Sequence, residues 1–204
     1  MKRPAIQIPE GLLAHSSPAD GTWGNVLLHA CCAPCSSAIV EWMLAHNIHP
    51  TIFYFNPNIF PVEEYIIRKE ESKRHAESLG LRWIDGDYDH SSWHECINGM
   101  ENEPERGRRC QKCFRMRLLE TARKAHSLGI TYFTTTLASS RWKSIEQINN
   151  AGLEAQKAVP GTQFWAQNWR KGGLSDRRNA LLKEYGFYNQ QYCGCEYSMR
   201  KDYE

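Results

Sequence analysis

Asn25-Val26-Leu27-Leu28-His29-Ala30-Cys31-Cys32-Ala33-Pro34-Cys35 is the stretch on which the fold turns. Asn25 to Ala30 is a short apolar run that ends at the first cysteines, and it predicts a buried strand. Pro34 sets a rigid turn. Ser36 or Ser37 is placed to cap a helix through Ile39, Val40, Met43 and Leu44. A strand, a tight turn and a helix form the first piece of a βα repeat.

The same alternation continues downstream. Thr51 to Phe55 is β-branched and aromatic and predicts a second strand, stopped by Asn56-Pro57-Asn58. A helix is expected from Pro61 to about Leu79, with Glu63 and Glu64 in its first turn and Gly80 past its end. Leu81 to Ile84 predicts a third strand and Trp93 to Met100 a short helix. Cys110 to Leu128 predicts a long helix stopped by Gly129. Thr131 to Leu137 predicts a fourth strand, followed by helices over Trp142 to Ala158 and Ser175 to Tyr185. This pattern predicts an α/β fold: a single domain with a mostly parallel sheet flanked by helices. Ligands in such folds sit at the carboxyl ends of strands. Cys31 falls just past the first strand, and Ser139, Ser140, Arg141 and Lys143 just past the fourth.

The chain has 204 residues and a formal net charge of +2. A uniformly basic nucleic-acid coat is excluded, so any polyanion must meet a local patch. Leu81 to Glu105 holds seven acids and one base, whereas Pro104 to Ser127 holds eight bases and two acids. Residues 1–24 read as a partly ordered extension and residues 25–204 as the domain. With no apolar run of membrane length and clustered thiols, the expected setting is cytoplasmic.

There are eight cysteines: Cys31, Cys32, Cys35, Cys96, Cys110, Cys113, Cys193 and Cys195. Their clustering points to metal or redox sites rather than a disulfide scaffold. Cys31, Cys32 and Cys35 lie in a strand-to-helix turn, where backbone N–H groups and the helix dipole favour thiolate. Cys110 and Cys113 lie at an expected helix start beside Arg108, Arg109 and Lys112, and the same lowering of thiol pKa is expected there. The two groups supply enough thiolates for a tetrahedral zinc or an iron–sulfur cluster. Zinc ribbons separate their pairs by roughly 15–20 residues. The much wider spacing here, on two βα units, argues for a working site. Cys193-Gly194-Cys195 admits either a strained, easily reduced disulfide or two more metal ligands. Cys96 reads as structural.

Five segments carry a resemblance: LLHACCAPCS (Leu27 to Ser36), FYFNPNIFPVEEYIIR (Phe53 to Arg68), RCQKCFRMRLLETA (Arg109 to Ala122), FTTTLASSRWKSIEQI (Phe133 to Ile148) and YNQQYCGCEYS (Tyr188 to Ser198). Together, and in this order, they resemble the QueH family of cobalamin-independent epoxyqueuosine reductases. The resemblance implies a PP-loop-like (HUP/Rossmann-like) fold, although CCAPC replaces the Gly/Ser-rich phosphate cradle of a PP-loop. It implies reduction of epoxyqueuosine to queuosine at the wobble base of tRNAs with GUN anticodons (Asn, Asp, His and Tyr acceptors), the last step of queuosine biosynthesis. It also implies a [4Fe–4S] cluster on Cys31, Cys32, Cys110 and Cys113, a redox-active pair at Cys193 and Cys195, and an external electron donor. Cys35 is expected to be a cluster neighbour, able to ligate a second mononuclear metal ion or replace a cluster ligand.

Candidate proton donors are Asp87, Asp89, His90 and Tyr192. Arg141 and Lys143 are candidate tRNA phosphate contacts. Tyr54, Phe55 and the segment Phe164 to Trp169 are expected mainly to pack in the core. Two other functions compete with the reductase: a PP-loop-like sulfur-transferring tRNA-modifying enzyme, and a zinc-stabilised RNA-binding module.

Overall fold

Five strands, Val26–His29 (β1), Pro50–Tyr54 (β2), Trp83–Asp85 (β3), Tyr132–Thr135 (β4) and Gln163–Phe164 (β5), form one parallel sheet in the order β3-β2-β1-β4-β5. The computed structural model describes residues 6–13 and 23–199. Among these residues, six α-helices flank the sheet: Ala33–Ala45 (α1), Val62–Ser78 (α2), His90–Ile97 (α3), Arg108–Ser127 (α4), Ile145–Ala158 (α5) and Leu174–Glu184 (α6). β1, β2 and β4 are buried along their whole length. That is why they read as continuous apolar runs: a parallel sheet is covered on both faces. The chain winds outward from β1 to β2 and β3, then returns to place β4 on the other side of β1. The gap beyond the carboxyl ends of β1 and β4 is thus the topological switch point.

One main core joins Leu27, Ile39, Phe53, Leu118, Phe133 and Ile148. Ile6 and Leu12 of the expected extension are buried in it, while residues 1–5 and 14–22 lie outside the described residues. Tyr54, Phe55, Phe164, Trp165 and Trp169 are all buried, as core packing requires.

Several boundaries differ from expectation for local reasons. α1 starts at Ala33, with extended Cys32 as its N-cap residue and Pro34 in its first turn. Ser36 and Ser37 are therefore inside the helix, and their hydroxyls donate back to the carbonyls of Cys32, Ala33 and Pro34. β4 ends at Thr135, whose hydroxyl accepts from the Leu137 N–H and starts a 3-10 turn over Thr136–Ser139. α3 begins earlier than expected, at His90, because the Asp89 carboxylate accepts from the Ser92 N–H at 2.9 Å. α5 starts only after Ser144, whose hydroxyl accepts from the Gln147 N–H at 3.3 Å. That last shift takes Trp142 and Lys143 off a helix and puts them in a loop. β5 was not foreseen; two residues carry no usable period.

Candidate active site

The Cys31 thiol sits at the switch point. Its backbone N–H donates to Thr136 Oγ1 at 3.1 Å, and the Thr136 hydroxyl donates to its sulfur at 3.4 Å. Cys31 and Cys32 sulfurs are 3.8 Å apart. The sulfurs of Cys31, Cys32 and Cys35 all lie within 4.8 Å of one another, and all three residues are buried. Cys35, in the first turn of α1, therefore sits within reach of both other thiols. Gln190 donates to Cys32 Sγ at 3.2 Å and to Cys35 Sγ at 3.5 Å.

Below this turn, His29 anchors β1 to its neighbours. Its Nδ1 is 2.8 Å from Thr135 Oγ1 and its Nε2 3.0 Å from the Phe55 carbonyl. The carbonyl only accepts, so Nε2 carries the proton and the Thr135 hydroxyl donates to Nδ1. Burial, then the charge of Arg117, pushes its pKa down to about 3, so the ring is neutral.

The electrostatics concentrate charge on one sulfur. Hydrogen bonds from Cys32 and Cys35 hold the Cys31 thiol well below its ordinary value, with help from the Lys143 charge. Burial pushes Cys32 up, and the bond to Cys31 does the same for Cys35. The expected lowering does not occur at Cys110. Burial pushes Cys110 up to about 11, outweighing the N–H that Arg106 donates to its sulfur at 3.3 Å. The charge of Arg109 offsets this only in part. Arg109 is buried and donates to the Glu101 carbonyl at 2.8 Å. Arg117, also buried, donates to Asn56 and reaches Cys113 Sγ at 4.0 Å.

Lys143 links the two cysteine groups. It is only 8% exposed. Burial alone would lower its pKa, but the thiols of Cys193, Cys31 and Cys35 outweigh that and raise it. Its loop is held by arginines: Arg106 donates to the carbonyls of Trp142 and Arg141, and Arg170 donates to that of Lys143. Lys143 thus lies in a loop rather than on a solvated helix, and it lines the cavity with Cys31, Cys35 and Cys193. Arg141 is exposed and lies over the Trp142 ring at 5.6 Å.

The segment carrying Cys193 and Cys195 is fastened by one face of α2. Arg68, buried and paired with Glu64 at 2.6 Å, donates to the carbonyls of Tyr192 and Cys193. Glu64 and Glu71 accept from the hydroxyl and the N–H of Tyr188, each at 2.7 Å. Gly194 has φ +135°, where a side chain is strained, and an added Cβ would meet Asn58 Nδ2 at 3.1 Å. Cys195 is buried, which raises its thiol to about 12. All eight cysteines carry free thiols. Cys96 is half-buried on α3 and takes no part in the Cys31 group.

A cavity of about 440 Å³ opens over this assembly, with Cys31, Cys35, Lys143, Gln190 and Cys193 on its wall. Arg141, Arg170 and Arg178 line the same cavity. Lys143 and Cys193 also line a smaller pocket with Cys110 and Cys195. Of the four candidate proton donors, Tyr192 lines the cavity. Asp89 is an exposed helix cap, and His90 Nδ1 faces the Pro57 carbonyl at 2.7 Å.

The model of the family described as "Epoxyqueuosine reductase QueH" matches residues 26–201. The chain belongs to the QueH family. Among relatives carrying that name, one from Histophilus somni is 46% identical over 198 residues, covering 97% of this chain and 77% of the relative. One from Acinetobacter baylyi is 49% identical over 176 residues, covering 86% and 81%. One from Thermotoga maritima is 34% identical over 179 residues, covering 86% and 91%. The solved structure of a predicted subunit of tRNA methyltransferase from Methanocaldococcus jannaschii aligns with a TM-score of 0.50 at 13% identity, covering 81% of this chain and 93% of that one. That likeness concerns the fold alone.

Sequence reasoning found the cysteines of this QueH member but not their supports. Thr136, Arg68, Glu71 and Gln190 carry no motif of their own in the sequence, and Glu64 reads there only as a first-turn acid. The signal available for Glu64, Arg68 and Glu71 was their i, i+4, i+7 spacing on one helix face.

Proposed function

We propose that this QueH-family chain reduces epoxyqueuosine to queuosine in tRNAs with GUN anticodons. The observation that carries the reading is the position of Cys193, which lines both the cavity of Cys31 and Cys35 and the pocket of Cys110 and Cys195. A two-electron thiol pair thus meets a soft metal-binding donor set beside one basic cavity.

Buried thiols this close together suit iron or zinc and not magnesium or calcium. Cys31, Cys32, Cys110 and Cys113 would hold the [4Fe–4S] cluster, with Cys35 beside it, able to ligate a further iron. Bound there, the cluster supplies one-electron transfer. Removing the epoxide oxygen breaks two C–O bonds, forms one C=C bond and releases water, which consumes two electrons and two protons. Oxidation of the Cys193/Cys195 dithiol to a disulfide releases the same number, and an external electron donor restores the dithiol.

The remaining residues bind and orient. Cavities of this size suit a single flipped-out nucleoside, and an anticodon loop offers its bases unpaired. Arg141, Arg170 and Arg178 provide cations for the flanking phosphates. Tyr192, pushed up to about 12 by burial and by Glu64, keeps its phenolic proton beside Cys193.

Anaerobic reconstitution with iron and sulfide, then incubation with epoxyqueuosine-bearing tRNA, tests the reading by nucleoside analysis. A brown protein that yields queuosine is expected. A colourless one-zinc protein that yields none with any reductant contradicts it.

A further inference from the structure

We propose that His90, His94 and Glu196 form a second metal site, separate from the cysteine centre, that takes Zn²⁺ and pins the Cys193–Cys195 segment to α3. His90 and His94 are one turn apart on α3, so their rings share a face. Glu196 directly follows Cys195 and opens the closing 3-10 turn Glu196–Ser198. One ligand atom from each of the three lies within 4.8 Å of the others. Glu196 Oε1 is 2.7 Å from His94 Nε2 and 3.6 Å from His90 Nε2.

Two buried atoms of the cluster lack partners. His90 Nδ1 faces the Pro57 carbonyl at 2.7 Å, so it must carry the proton. In the neutral ring that leaves a lone pair on Nε2, the arrangement seen behind metal-bound histidines. His90 Nε2 is buried with no hydrogen-bond partner, and so is Glu196 Oε2. A proton shared between His90 and Glu196 would have to bridge 3.6 Å, too far for a hydrogen bond. A cation between the three side chains satisfies all of them. In a tetrahedral zinc site the ligand atoms lie roughly 3.4 Å apart, from metal–ligand bonds of about 2.0–2.2 Å. The distances here bracket that value.

The donor chemistry selects the ion. Two imidazoles and a carboxylate suit zinc, whereas calcium and magnesium prefer oxygen alone. Three protein ligands leave a fourth position, open to water because the His94 side chain is 43% exposed. The consequence is mechanical: the metal ties the residue next to Cys195 to α3. Its supports are independent of the reaction assigned to the cysteines.

The test uses the full chain with its iron–sulfur centre loaded. Zinc, iron and sulfide are quantified after equilibration with Zn²⁺ and removal of excess metal, for the wild type, His94→Gln and Glu196→Gln. One zinc per chain beyond the iron is expected in the wild type. At least tenfold weaker zinc binding, with unchanged iron and sulfide, is expected in each variant. Should Glu196→Gln fail to fold, His94→Gln alters a partly exposed ring and carries the comparison alone. In the wild type, Co²⁺ should give the weak ligand-field bands of N/O ligands without sulfur-to-metal charge transfer. Equal zinc in wild type and variants, joint loss of zinc and iron, or tighter retention of Fe²⁺ than Zn²⁺ in anaerobic competition would overturn the assignment.

Discussion

Thr136 holds Cys31 from two directions: its oxygen accepts the Cys31 N–H at 3.1 Å, and its hydroxyl proton points to the Cys31 sulfur at 3.4 Å. The contact crosses the switch point between β1 and β4, so the sheet itself aims the most acidic thiol of the group. Thr136→Val keeps the shape and removes both bonds, leaving a buried N–H unpaired. A loss of about 1–3 kcal/mol in urea unfolding is expected, together with lower iron content after reconstitution.

Arg68 offers a second test. It is 2% exposed and holds Glu64 and the carbonyls of Tyr192 and Cys193. Arg68→Met leaves the Glu64 carboxylate buried without its partner, a loss of about 3–5 kcal/mol. Chymotrypsin should then cut faster at Tyr188 and Tyr192. The double variant Glu64→Gln/Arg68→Met should recover part of the stability, because no buried charge is left alone.

Gly194 separates Cys193 and Cys195 in a conformation that L side chains rarely adopt. Gly194→Ala should cost about 1–3 kcal/mol and slow queuosine formation while iron content stays at the wild-type level.

His75 predicts an acid-side loss of stability. Its ring is buried edge-on against Tyr185 and Phe187, and burial lowers its pKa below the ordinary value. The unfolded chain therefore takes up the proton first. Stability is fully present above about pH 6.5 and falls as the pH drops through that value, by at most about 1.4 kcal/mol per pH unit from this group. His75→Phe should flatten Tm against pH across that window; an unchanged slope would assign the loss to other groups.

The strand, turn and helix around CCAPC were legible because a buried parallel strand is a bare apolar run and a proline fixes the turn. The long α4 was legible from Phe114, Leu118, Ala122 and Ala125 at helical spacing. Lys143 was not: its loop is set by Ser144 as a cap and by carbonyl contacts to Arg106 and Arg170, which are distant in sequence. Nor was the charge on α2. Glu64, Arg68 and Glu71 look like a solvated face until the C-terminal segment covers them. His90, His94 and Glu196 stayed hidden for the same reason, since the third ligand lies far along the chain. The basic count between Pro104 and Ser127 overstated the surface charge, because Arg109 and Arg117 are buried and hydrogen-bonded internally.

In the proposed reaction, Cys193 and Cys195 supply the reducing equivalents beside the cysteine centre. The most direct measurement is a single turnover. Reconstituted protein is reduced, freed of reductant and mixed anaerobically with epoxyqueuosine-bearing tRNA. Queuosine and the Cys193–Cys195 disulfide are then quantified by mass spectrometry. Both are expected to form in equal amounts, and Cys193→Ala/Cys195→Ala is expected to form no queuosine while keeping its iron. Full queuosine formation by that double variant would contradict this role.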